Sequence, residues 1–375
     1  MSHAPLWAPA GPALARRLRP CAGFQPLPSP GQIISAMPLG SSGDSAGQEA
    51  RDGIDQSRDE VRAVLDGRDD RLLVIVGPCS VHDPRAAIDY ARWLAGQAAM
   101  LRRDLAIVMR AYVEKPRTTT GWRGLVADPH MDGSCDMAAG IMIARALLLE
   151  LAELHVPAAC EWVDPAVAAY LSDLVSFGVI GARTVESQVH RQLASGLPMA
   201  VGFKNGTSGN LQVAADACRA AAQAHSFLGS APDGRSSIIT TEGARDTCVV
   251  LRGGASGPNY QPPEVAAATA IIERAGLPSR LIIDASHGNS GKDASRQAGV
   301  VASVAGQVAE GNAAITGVML ESFLVGGRQE PGDPATLTYG QSVTDPCIDT
   351  GATATILREL AASVRERRAA REQAP

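Results

Sequence analysis

Eight short apolar runs recur along the chain, at residues 72–76, 106–109, 157–160, 179–182, 199–203, 248–251, 281–285 and 315–320. They are rich in Val, Ile and Leu and too short for helices, so the pattern predicts strands buried on both faces. The stretches between them have helical length. Asp83-Pro84, Asp164-Pro165 and Pro262-Pro263 predict helix starts with Pro in the first turn, the helices running on through Trp93, Tyr170 and Ile272. Helical patterns over 137–154, 185–193, 211–224, 294–308 and 352–371 fill the other gaps, and a charged one at 48–65 precedes the first strand, stopped by Asp66-Gly67. Strand and helix repeated eight times predict a closed parallel (β/α)8 TIM barrel, with its chemistry at the C-terminal ends of the strands.

Two segments break the repeat. Residues 114–136 are dense in Gly, Thr, Pro and charge, and 230–246 contain a segment, 237–241, that predicts a strand of a small extra hairpin before the sixth barrel strand. Long loops at the C-terminal face of a barrel commonly cover a substrate. Residues 1–50 read as an N-terminal arm, partly flexible or docked, and 51–375 as the catalytic barrel. The first 43 residues hold no Asp or Glu and carry Arg16, Arg17 and Arg19, but no apolar core follows, so a secretory signal is not expected.

Composition narrows the partners. The net charge of −5 argues against a nucleic-acid partner, which needs a broad basic face. No apolar run approaches the roughly 18 residues that span a bilayer, so no membrane association is expected. Seven cysteines, odd in number and in part inside predicted strands or helices, fit a reducing compartment and a cytoplasmic location.

Each apolar run ends on or shortly before a residue able to bind an anion, hold a metal or move a proton: Cys79, Arg110, Glu161, Arg183, Lys204, Arg252, His287 and Glu321. Cys79, His287 and Glu321 follow the first, seventh and eighth strands, which become neighbours when the barrel closes. Thiolate, imidazole and carboxylate converging there make a divalent metal site, and Asp345, in the loop after the eighth strand, can reach the same rim as a fourth ligand. Mixed S, N and O donors suit Mn, Fe, Co or Zn better than Mg or Ca. Arg110, Arg183, Lys204 and Arg252 converge from four other strands, with Lys115, Arg117 and Arg123 in the loop above. So many cations at one rim predict more than one phosphate or carboxylate between them. The competing reading is a structural ion-pair network with Glu114, Asp128, Asp132 and Glu161. His82 and His130 are placed to shape the site, whereas His3, His155, His190 and His225 carry weaker signals.

At Gly77-Pro78-Cys79-Ser80-Val81-His82-Asp83 the chain resembles the type I 3-deoxy-D-arabino-heptulosonate 7-phosphate (DAHP) synthases. The likeness continues through Met109-Arg110, Glu114-Lys115-Pro116-Arg117-Thr118-Thr119, Gly121-Trp122-Arg123-Gly124 and Asp128-Pro129-His130-Met131. It runs on through Ile180-Gly181-Ala182-Arg183-Thr184, Gly202-Phe203-Lys204-Asn205-Gly206-Thr207, Leu251-Arg252-Gly253-Gly254, Ser286-His287, Leu320-Glu321-Ser322 and Tyr339-Gly340-Gln341-Ser342. Ordered motifs over roughly 51–368 make it highly specific.

The resemblance implies a condensation of phosphoenolpyruvate with erythrose 4-phosphate that releases inorganic phosphate, the first step of the shikimate pathway, in a homo-oligomer (dimer or tetramer). It implies metal ligation by Cys79, His287, Glu321 and Asp345; phosphoenolpyruvate at Arg110, Arg123, Glu161, Arg183, Lys204 and Arg252; and erythrose 4-phosphate at Lys115, Pro116, Arg117 and Thr118. Lys115, Glu161, Lys204 and His287 take the catalytic roles, and Lys115, Glu161 or a metal-held hydroxide activates the attacking water. Departures are Arg123 where Lys is frequent, Gly288 where Ala is familiar, and Arg16-Arg17-Leu18-Arg19, Ala168-Ala169 and Pro198 in stretches tied to feedback control, so no effector is carried over. Three alternatives stay open: a Schiff-base aldolase using Lys115 or Lys204, a synthase with a different phosphorylated aldehyde, and a non-catalytic paralogue binding an aromatic metabolite or partner enzyme.

Overall fold

The computed structural model describes residues 25–40 and 45–373. The sequence features at His3, Arg16, Arg17, Arg19 and Gly43 lie outside the described residues.

Eight parallel strands close a barrel. In chain order the first elements are α1 (Pro30–Ala36), α2 (Ser45–Leu65), β1 (Leu72–Gly77), α3 (Pro84–Leu101), β2 (Leu105–Arg110), α4 (Met137–Glu153), β3 (Ala158–Glu161), α5 (Pro165–Leu171) and β4 (Phe177–Ile180). Next come α6 (Gln188–Ala194), β5 (Ala200–Lys204), α7 (Gln212–Ala221), a hairpin of β6 (His225–Ser230) and β7 (Ser236–Thr241), β8 (Thr247–Leu251), α8 (Pro262–Arg274) and β9 (Leu281–Asp284). The chain finishes with α9 (His287–Ser290), α10 (Gln297–Ala309), β10 (Ile315–Glu321), β11 (Val325–Arg328), β12 (Gln341–Ser342) and α11 (Thr350–Gln373). Round the barrel the order is β1, β10, β9, β8, β5, β4, β3, β2, so the first strand pairs with the last, Gly77 opposite Glu321.

Alternation along each strand divides the core in two. Leu73, Ile75, Val108, Phe177, Val179, Val250, Ile282 and Met319 face inward and fill the barrel, while Leu72, Val74, Val76, Ile107 and Met109 pack outward against the helices. Val61, Val64 and Leu65 join the inner cluster, so the end of α2 plugs the bottom of the barrel and leaves the top for chemistry. Asp83 and Asp164 cap α3 and α5 by accepting from Arg85 N (2.9 Å) and Ala166 N (2.9 Å), with Pro at the following position.

Beyond the short added elements α9, β11 and β12, the structure differs from the apolar pattern in three places. β4 begins at Phe177, two residues before the run at 179–182, because Gly178 dilutes the signal, and Arg183 consequently lies past the strand rather than at its end. The hairpin strand expected at 237–241 is β7; its antiparallel partner β6 was not read, since its exposure alternates residue by residue and buries no continuous apolar run. The helix holding residue 50 begins at Ser45, and α1 ahead of it is docked: buried Arg145 donates to Met37 O (2.9 Å), and Tyr170 Oη donates to Pro28 O (2.9 Å).

Candidate active site at the barrel mouth

Four of the expected side chains are the last residue of a strand: Arg110, Glu161, Lys204 and Glu321. Cys79, Arg252, Arg183 and His287 follow within three residues of β1, β8, β4 and β9. All eight therefore stand at one end of the barrel.

On the β1–β10 side the donor atoms of Cys79, Glu321 and Asp345 lie within 4.8 Å of one another. Asp345 reaches this point because its loop is tied to the β1 loop: Ser80 Oγ and Thr344 Oγ1 are 2.7 Å apart, and Asp345 N donates to Cys79 Sγ at 3.4 Å. His287 Nε2 is 3.7 Å from Glu321 Oε1, and its Nδ1 lies 2.9 Å from Asp284 Oδ2. A carboxylate on Nδ1 fixes the ring with Nε2 turned inward, the usual outer partner of a metal-binding imidazole. His287 thus stands beside the close group of Cys79, Glu321 and Asp345 rather than within it; sulfur and carboxylate oxygen, with an adjacent imidazole held by an outer acid, fit a divalent metal of intermediate softness.

Charges on this side are matched. Lys115 Nζ is 2.7 Å from Cys79 Sγ and 3.1 Å from Asp345 Oδ2. Arg110, stacked 3.8 Å over the Tyr112 ring, donates to Glu321 Oε1 at 2.9 Å, and both side chains are buried. Lys204 donates to Asp284 Oδ2 at 3.0 Å. Burial pushes the Cys79 thiol up to about 11, with the Glu321 charge adding to it. Burial also acts to raise Asp345, but Lys115, His287 and Lys292 outweigh it and hold that carboxyl below its ordinary range.

Elsewhere round the mouth the cations lack acids. Among the described residues Arg117, Arg183 and Arg252 form no ion pair: Arg183 Nε donates to Thr118 Oγ1 (3.0 Å), Arg117 Nε to Trp122 O (2.8 Å), and Arg252 reaches only Gly253 O (3.5 Å). These three line a cavity of about 240 Å³ together with Lys115, Pro116, Thr118, Glu161, Lys204, His287, Lys292 and Asp345. Gly181 packs against the Glu161 carboxylate, and a Cβ there would displace Oε1. The ion pairs that do form use Glu321, Asp345 and Asp284, not the acids Glu114, Asp128, Asp132 and Glu161 that the structural-network reading required.

Arg123 is not brought to this cavity. Its guanidinium points to Cys135 Sγ (3.5 Å) and lines a larger, more apolar cavity of about 760 Å³ on the far side of the 114–123 loop, with Leu27, Met137, Ile141 and Tyr170. His190 and His225 are held by backbone carbonyls at 2.9 and 2.8 Å, and His130 is exposed. Buried His82 has an Nδ1 with no partner among the described residues. Sequence reading gave no role to Asp284, although an Asp ending a buried strand is a strong signal. It likewise gave none to Lys292 at the rim, nor to Asn205, whose Oδ1 accepts Arg252 N at 2.8 Å.

The profile of the DAHP synthetase I family matches residues 48–358, which include every candidate from Cys79 to Asp345. A phospho-2-dehydro-3-deoxyheptonate aldolase of Corynebacterium glutamicum is 51% identical over 355 residues, covering 92% of this chain and 94% of the relative. The chain belongs to the DAHP synthetase I family. A Tyr-sensitive relative from Escherichia coli is 50% identical over 337 residues, covering 90% of this chain and 92% of the relative. The solved phospho-2-dehydro-3-deoxyheptonate aldolase of Francisella tularensis superposes with a TM-score of 0.89 at 42% identity, covering 93% of this chain and 99% of that one. Family membership accounts for the closed eight-stranded barrel, and the family is metal-dependent.

Proposed function

We infer that the chain condenses phosphoenolpyruvate with D-erythrose 4-phosphate and water to 3-deoxy-D-arabino-heptulosonate 7-phosphate and inorganic phosphate, the first step of the shikimate pathway to aromatic amino acids. The observation that carries this reading to the residues is the mouth itself, where the sulfur and carboxylate donors of Cys79, Glu321 and Asp345 cluster, with His287 3.7 Å from Glu321, beside a cavity lined by the unmatched cations Arg117, Arg183 and Arg252. Cys79, His287, Glu321 and Asp345 would hold the metal, and the donor set favours Mn, Fe, Co or Zn. Bound there, such an ion supplies polarisation of the aldehyde carbonyl.

The protein's own groups do the rest. Arg252, Arg183 and Lys204 bind the carboxylate and phosphate of phosphoenolpyruvate, and Arg117 and Thr118 take the phosphate of the aldehyde. C3 of phosphoenolpyruvate attacks the aldehyde carbon, and positive charge develops at C2. Lys115 Nζ lies 2.7 Å from Cys79 Sγ and 3.1 Å from Asp345 Oδ2, where its ammonium is placed to deliver a proton to the new alkoxide. Glu161 accepts one proton of the water that adds at C2; the C2–O bond to phosphate then breaks as the new C2 hydroxyl becomes the ketone, its proton leaving with the phosphate. Both lysines lie against thiol or carboxylate as ammonium groups, which disfavours Schiff-base chemistry.

The enzyme works as a homo-oligomer (dimer or tetramer) in the cytoplasm under this reading. Among the described residues no helix is long and apolar enough to cross a membrane. The deciding assay is phosphate release from phosphoenolpyruvate. It should require both erythrose 4-phosphate and a divalent metal, and silence after metal reconstitution would defeat the assignment in favour of a non-catalytic paralogue.

A further inference from the structure

One cation at the mouth has no part in the scheme above. Lys292 follows α9 and has φ +63°, directly after Gly291 at φ +64°, so two successive residues adopt the left-handed conformation. Glycine does so without steric cost, whereas the Cβ of a lysine makes this conformation strained. The turn is closed by Lys292 N donating to His287 O at 2.7 Å, and it folds the chain back over the barrel end. Its result is to bring the Lys292 ammonium to the wall of the catalytic cavity.

Nothing there holds it firmly. Among the described residues its one ion-pair partner is Asp345, Oδ1 at 3.8 Å; the lysine side chain is 59% exposed, and the other oxygen of Asp345 already accepts from Lys115 at 3.1 Å. A loose, exposed pair of this kind contributes little stability, so stabilising Asp345 does not account for a strained lysine. An anion that arrives with substrate does. The buried cations Lys204 and Arg252 suit the substrate that must be dried, whereas Lys292 stands at the open rim of the cavity that Arg117 and Thr118 also line.

We propose that Lys292 is a further substrate-binding residue, whose ammonium clamps the phosphate of the aldehyde substrate from the side opposite Arg117 and Thr118. This rests on the synthase reading and deepens it. A mobile lysine acts as a point charge on phosphate, complementing the fixed fork of an arginine.

The test uses the full-length, metal-loaded enzyme and the variants Lys292→Met, Lys292→Arg and Lys292→Gly. The Met and Gly variants should raise KM for erythrose 4-phosphate roughly tenfold, the scale of one charge-assisted contact, with KM for phosphoenolpyruvate unchanged and kcat falling by less than KM rises. Lys292→Arg should restore most of the loss. Lys292→Gly relaxes the backbone and should melt no lower than the wild type, so a KM defect in it cannot be a folding defect. Divalent-metal affinity, titrated directly on the metal-free protein, should not weaken in any variant. An unmoved KM for the aldehyde, an equal rise for both substrates, or a weakened metal affinity would each overturn the proposal. A wild-type enzyme that releases no phosphate would defeat the synthase assignment instead.

Discussion

The arc of the mouth from β2 through β1 and β10 to β9 and the arc from β3 through β4 to β8 hold the same kinds of side chain in different electrical states. On the first, Arg110, Lys115 and the incoming Lys204 each meet an acid within about 3 Å. On the second, Arg183 and Arg252 meet none among the described residues. Exposure explains Arg183, whose charge water solvates. It does not explain Arg252, which is only 9% exposed. A buried guanidinium without an acid is costly unless an anion arrives from outside, so one arc is built to be complete before substrate and the other is completed by it.

The largest effect is expected on the complete arc. Cys79→Ala should nearly abolish turnover and weaken metal binding by more than the roughly 100-fold that loss of an outer partner costs, read by titration of the metal-free protein. Full activity in metal-controlled buffer would sink the metal assignment.

The next test sets the arcs against each other. Arg110→Met strands Glu321, which is 2% exposed, and should cost about 3–5 kcal/mol in denaturant unfolding. Arg252→Met removes a buried charge with no acid and should leave stability unchanged or raise it, while lowering kcat/KM for phosphoenolpyruvate roughly 100-fold or more. Equal losses of stability in the two variants would erase the distinction between the arcs.

Asp284 joins the arcs, since Lys204 and His287 share its Oδ2. Asp284→Asn should weaken metal affinity about 10–100-fold by freeing the His287 ring, and an unchanged affinity would detach Asp284 from the site.

The smallest effect concerns Glu114, whose carboxyl accepts from Val163 N (3.2 Å) and Asp164 N (3.0 Å) and is pushed up to about 8 by burial. Between about pH 4.5 and 8 the unfolded chain has released this proton and the folded chain keeps it, so Glu114 makes stability fall as pH rises through that window. Glu114→Gln should flatten the decline of Tm between pH 5 and 8. An identical slope in both proteins would remove Glu114 as its source.

Strand order and barrel closure were legible because both faces of each barrel strand are buried, which writes an unbroken apolar run into the sequence. β6 lacked that signal: Phe227 and Leu228 sit on opposite faces of a two-stranded ribbon, and Leu228 is exposed. Strand ends likewise marked Cys79, Glu321 and the cations, and the likeness to the synthases extended the set to Pro116 and Thr118. Pairing was not legible. Which acid meets Lys204 depends on β9 lying two places from β5 round the ring, a matter of register and reach rather than of spacing along the chain. Arg123 shows the same limit, because the loop carrying it turns away at Gly121 (φ +124°). Lys292 escaped because its backbone conformation, not its residue type, is what aims it.

β1 closes the barrel against β10, and Cys79 meets Glu321 and Asp345 across more than three-fifths of the chain's length. During synthesis the first of these residues leaves the ribosome long before the last two, and β1 waits with one edge bare until β10 arrives. The pocket formed by these three side chains is therefore complete only after Asp345 has emerged. A polypeptide truncated ahead of β10 has an open sheet edge, no place for the ion, and a strong tendency to aggregate.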